Sequence, residues 1–193
     1  MSLTGLLLFL IIKKRFPNPK WLRNIFLSVV LLLFVRSIFL TFSNWYIWAH
    51  SEVLKGLLPP LTPITYFTGY IFRYAFSELV ISLAFALLAI IGVTLLNKYF
   101  RGKFFYEEEK WLVGLGIIST YWPMSLVFVL FSLDMGIVLH FTYLAIANIK
   151  KKYRPDYRLS FLYIWLPVAL LTLILSDIII QCPIIRQFKL FFI

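Results

Sequence analysis

Cysteine is nearly missing from this chain: Cys182 stands alone among 193 residues. A single thiol forms no internal disulfide and cannot build a cysteine-rich metal site. Histidine is as scarce, with only His50 and His140, far apart in the chain. The sequence therefore predicts no metal and no cofactor. It also lacks a glycine-rich phosphate loop, a Ser/His/Asp order and any internal repeat. Charge is thin as well: charged residues make up 14% against 62% hydrophobic, with a mean hydropathy of +0.90. A soluble domain of this length needs far more polar surface than that. Short segments alternating in period two, the mark of a membrane β-barrel, are absent too.

What the chain has instead is long apolar runs, several of them long enough for the roughly 20 helical residues that cross a hydrocarbon core. The expected fold is all-α, a polytopic integral membrane helical bundle of about six transmembrane or half-membrane helices. Residues 1–193 read as a single transmembrane domain. Residues 3–12 are apolar but short and end at Lys13 and Lys14, which fits an uncleaved anchor or a re-entrant helix. Residues 25–48 form the first full span, interrupted by Arg36. Three prolines within 59–63 require a turn. Residues 64–97 are too long for one span and barely enough for two, with Arg73 and Glu78 as the interruptions. Residues 111–121 and 124–149 flank Pro123 as a helical hairpin, and 159–181 make the last span.

The net charge of +11 comes mostly from clusters at 13–23, 98–103 and 150–158. Placed between apolar segments, such clusters hold cytoplasmic loops beside anionic lipid. Membrane lipids are thus the expected partners, nucleic acid is not, and a bacterial-type inner (cytoplasmic) membrane is the expected location, crossed several times. One long tilted helix at 64–97 would put all three clusters on one side. Two short helices would send 13–23 to the other.

Only eight residues are acidic, and three of them are adjacent, Glu107, Glu108 and Glu109. An ionised side chain in or beside hydrocarbon is costly unless paired or hydrated, so each one invites a functional reading. Arg73 and Glu78 are close enough to pair, and Asp134 sits in mid-span. If Arg73, Glu78 and Asp134 lined one water-filled path, the chain would be a small transporter. The acidic run itself precedes a helix near Lys110, where negative charge complements the helix dipole. Among Arg101, Lys103 and Lys110 it also reads as a charge-balanced collar.

Two stretches carry a family resemblance. In "EVLKGLLPP" (52–60), Glu52 precedes Pro59 by seven residues. In "FYEEEKWLVGLG" (105–116), Lys110 precedes Gly116 by six, which lays Phe105-Tyr106-Glu107-Glu108 over a GxGD signature. Trp122-Pro123, a following span and a Lys-rich loop complete the layout. Over about 50–181 the chain resembles the type IV prepilin peptidases, integral-membrane aspartic proteases. It departs from them in carrying glutamates for the two aspartates, Pro60 for the aspartate of the turn, and neither glycine of GxGD.

The resemblance implies an endopeptidase that cleaves leader peptides of pilin-like, single-span membrane proteins, with Glu52 and Glu108 as the carboxylate pair. Glu107 and Glu109 are the alternates in a shifted register, and Lys110 and Pro59 the supporting residues. In such a pair one carboxyl stays protonated as acid while the other acts as base on a shared water. This requires the two groups to meet at one water–lipid boundary. The other reading is non-enzymatic: a docking or assembly protein whose acidic loop binds the basic ends of single-span partners.

Overall fold

The computed structural model describes residues 19–100, 105–149, 162–183 and 185. The expectations for 3–12 and for the basic cluster at 150–158 lie outside the described residues, as do parts of the clusters at 13–23 and 98–103. Every regular element among the described residues is helical. Three helices, Pro19–His50, Ile64–Tyr99 and Met124–Ile146, are long and apolar enough to cross a membrane.

Helix α1 (Pro19–His50) starts earlier than the apolar run because proline is well suited to a first helical position and Lys20 and Arg23 are good helix formers. It ends at the proline-rich loop, as expected. That loop contains a short 3-10 turn, Leu54–Leu57, and is closed by the Thr62 hydroxyl donating to the Gly56 carbonyl at 2.7 Å. Leu58 tucks into a small core with Trp48, Phe67 and Ile71. Phe67 meets Trp45 and Trp48 edge-on, with ring centroids 5.0 and 5.2 Å away.

The segment at 64–97 resolves as one continuous helix of 36 residues. It comprises α2 (Ile64–Ile71), a π turn (Phe72–Phe76) and α3 (Ser77–Tyr99). No proline lies within it to break the backbone ladder. Arg73 lies in the π turn, which widens the helix locally, and Glu78 lies just beyond it in the first turn of α3. There the buried Ser37 of α1 donates to the Ala75 carbonyl at 2.8 Å. Among the described residues Arg73 and Glu78 do not form an ion pair with each other.

At the centre lies α4 (Glu109–Thr120), buried from Leu112 to Ile118 without a break. A helix apolar on all sides must be enclosed on all sides. At roughly 18 Å it is also too short to cross a hydrocarbon core. Phe26 of α1, Ala86 of α3, Phe128, Trp165 and Val168 form the core around it. Two glycines make the approach possible. A Cβ on Gly114 would lie 2.8 Å from Ile90 Cδ1 and 3.1 Å from Phe26 Cε2, and on Gly116 it would meet the Phe128 ring.

Phe128 belongs to α5 (Met124–Ile149), so its contact with Gly116 shows α5 folding back along α4 as the expected hairpin. The turn between them is fixed on two sides. Arg36 Nη1 donates to the Tyr121 hydroxyl at 3.3 Å and its guanidinium lies 5.9 Å from that ring. The Trp122 N–H donates to Ser82 Oγ at 2.9 Å. The last expected span, 159–181, is divided at Leu175 into α6 (Leu162–Ile174) and α7 (Ser176–Ile180). Pro167 lies inside α6 on an exposed side, while Trp165, Val168 and Ala169 face the core.

Replacing Gly116 by Ala should therefore lower stability by about 1–3 kcal/mol through overpacking. Phe128→Leu added to that variant should recover part of the loss. Thermal unfolding in detergent checks both. A Gly116→Ala protein as stable as the parent would show that the α4–α5 contact is not tight.

Candidate functional site

The acidic run sits where α3 ends and α4 begins, and neighbouring residues fix its backbone. Asn97, in the last turn of α3, uses its whole amide. Nδ2 donates to the Phe105 carbonyl at 2.8 Å while Oδ1 accepts from the Phe105 N–H at 3.1 Å. This ties the connection back onto α3. One residue on, the Tyr106 N–H donates to Glu109 Oε2 at 2.9 Å, and the Glu109 N–H donates to the Tyr106 carbonyl at 3.1 Å. The Glu109 side chain thus reaches back three residues to satisfy an N–H ahead of the helix, as the glutamate of a capping box does, while the return bond is between backbone groups.

Three adjacent glutamates thus have different surroundings. Glu109 is 1% exposed and turned inward to the cap. Glu107 is exposed and Glu108 half-buried, and both line a cavity of about 630 Å³. Pro19, at the start of α1, and Thr94 and Lys98 of α3 form other parts of its wall. Lys110, which also borders it, has Nζ 5.9 Å from the Trp111 ring. Among the described residues, Glu107, Glu108, Lys98 and Lys110 therefore border one space. Among the described residues, no ion pair joins Glu107 or Glu108 to Lys98 or Lys110.

Glu52 is elsewhere. It is exposed two residues past the end of α1, whereas Glu108 shares its cavity with the residue that begins α1. The helix between those two points is roughly 48 Å long. Glu52 and Glu108 are not brought together and cannot share a water in this arrangement. Pro59 lies with Glu52 in the distant loop, so the supporting pair Lys110 and Pro59 is likewise divided between the two ends.

The polar residues expected within the membrane, Arg73, Glu78 and Asp134, do not converge either. Arg73 is exposed on the π turn and Glu78 half-buried in the first turn of α3. Asp134 is exposed on α5, about 15 Å along that helix from the turn that holds Ser82. The polar contacts that do form, Arg36 with Tyr121 and Ser82 with Trp122, join elements distant in sequence, which spacing does not reveal. Asn97 did carry a signal: asparagine in a last helical turn, next to a basic loop, suits a terminating contact.

Comparison of the chain with protein-family models, with curated proteins and with solved structures found no match.

Removing the Glu109 acceptor should loosen the helix start. Glu109→Ala is expected to cost about 1–3 kcal/mol, since it leaves a part-buried N–H without its partner. Glu109→Gln, which keeps an acceptor oxygen, should lose less. Asn97→Ala should resemble Glu109→Ala. Unfolding in detergent measures all three, and equal stability of Glu109→Ala and the parent would remove the capping role.

Proposed function

We propose that this is a multi-pass membrane protein that works by docking rather than by hydrolysis, receiving the basic end of a single-span membrane partner at Glu107 and Glu108. The observation that carries this reading is the presence of both carboxylates on one open cavity, next to the start of α1 and the end of α3. Helix α3 supports a membrane-edge position for that cavity. Between Glu78 and Lys98 it has no charged residue, and this stretch is about 28 Å long, close to the hydrocarbon thickness. The cavity then lies where a partner helix leaves the lipid and its flanking lysines or arginines begin.

Docking also fits the chemistry better than proteolysis. Hydrolysis by a carboxylate pair needs two acids around one water. The acid that the prepilin peptidase resemblance pairs with Glu108 lies at the other end of α1. Receiving a cation needs only Glu107 and Glu108 on an open cavity, charge-assisted hydrogen bonds and a nearby lipid boundary. The inner membrane is the expected setting, with the cavity on the cytoplasmic side by the charge rule.

The test is binding in lipid nanodiscs of a single-span peptide with two lysines just beyond its apolar segment. The Glu107→Gln/Glu108→Gln double variant should bind it at least roughly tenfold more weakly, and raised salt should weaken binding to the parent. Equal affinity in parent and double variant overturns the reading. Mass spectrometry of the same incubation should recover the peptide intact. Cleavage abolished by Glu108→Gln would replace docking with peptidase activity.

A further inference from the structure

Docking a basic end uses only half of the charge around the cavity. Among the described residues, Lys98 and Lys110 border it with Glu107 and Glu108, two basic and two acidic residues on one cavity. Among the described residues, these four form no ion pair with one another. A purely cationic ligand would satisfy the glutamates and leave the lysines unmatched. A purely anionic one would meet the opposite problem. The ligand that satisfies all four carries both signs within a few ångströms of each other.

The walls narrow the choice further. Val93 and Phe105 give the cavity apolar surface beside its charges. From Lys98 one strip of α3 runs on through Thr94, Ile91 and Leu87, the last two 54% and 46% exposed. A zwitterionic group continuous with hydrocarbon chains would place its head in the cavity and its chains along that face. The volume of about 630 Å³ is within the range of small-ligand sites.

We propose that the cavity is a headgroup site for an aminophospholipid, a lipid with a primary ammonium linked to a phosphate. Its ammonium donates to Glu107 and Glu108, and its phosphate accepts from Lys98 and Lys110. A primary ammonium has N–H donors for the carboxylates, whereas a trimethylated one has none. The lipid occupies the site that the docking reading assigns to a partner's basic end, so a partner would displace it. The proposal depends on the cavity and not on the existence of that partner.

The test uses the purified full chain in detergent with no peptide present, and native mass spectrometry to count retained lipid. Phosphatidylethanolamine, phosphatidylcholine and phosphatidylglycerol are supplied in equal amounts. The parent should retain phosphatidylethanolamine at least roughly tenfold over the other two, as expected for charge-assisted bonds gained at both ends of the head. Glu107→Gln/Glu108→Gln should remove that preference, and Lys98→Gln/Lys110→Gln should reduce retention of all three. Equal retention of the three lipids by the parent overturns the proposal, as does a preference unchanged in both double variants. Displacement by soluble phosphoethanolamine at equal concentration would overturn the assignment to a lipid in favour of a free zwitterion. Because peptide is absent throughout, failure here leaves the docking result intact, and failure of docking leaves this one intact.

Discussion

The arrangement depends on the enclosure of one short helix. Helix α4 is apolar on every side and too short to span, so its stability requires other helices to surround it. In lipid the hydrophobic effect does not drive helices together, and close van der Waals packing takes its place. Gly114 and Gly116 supply the closeness. They let Ile90, Phe26 and Phe128 reach the α4 backbone from three neighbouring helices. The fold-back of α5 and the approach of α1 and α3 both follow from that contact.

Enclosure of α4 also decides what its two ends do. At the C-terminal end the chain must reverse, and Tyr121 adopts a positive φ of 55° there. A non-glycine residue in that region persists where its surroundings hold it. Here Arg36 holds the side chain and Ser82 holds the next backbone N–H. At the N-terminal end, burial of Glu109 against the Tyr106 N–H orients its two neighbours. Successive helical side chains differ by about 100° in direction, so three adjacent glutamates at a helix start do not share an environment. One is committed to the cap, and two are left for the cavity with Lys98 and Lys110.

The intervals that suggested a prepilin peptidase illustrate how chain distance and spatial distance part company. Glu52–Pro59 and Lys110–Gly116 are local intervals, and a local interval is kept in any fold. Whether Glu52 meets Glu108 depends on how many long helices the chain forms between them. A single continuous helix from Ile64 to Tyr99 makes that number odd and places the two acids at opposite ends. Two helices there would have made it even. The π turn at Phe72–Phe76 lies within that one helix and does not end it.

Composition and run length by themselves determined the helical class, the proline-rich turn after α1 and the α4–α5 hairpin around Pro123, whereas about six membrane helices were expected and three among the described residues are long and apolar enough to cross. These are local or additive properties: apolar length, absence of strand alternation, proline's missing N–H. The continuity of 64–99 was open, since charge bias and length favoured different answers. That the acidic run opens a helix near Lys110 was legible, but which glutamate turns inward was not. The Glu109–Tyr106 and Asn97–Phe105 bonds span only three and eight residues, whereas the distance of Glu52 and the placing of Pro19 beside Glu107 and Glu108 are set by contacts between segments distant in sequence. Those contacts exist only once helices pack, because packing decides which side of each helix faces a neighbour and which end faces water.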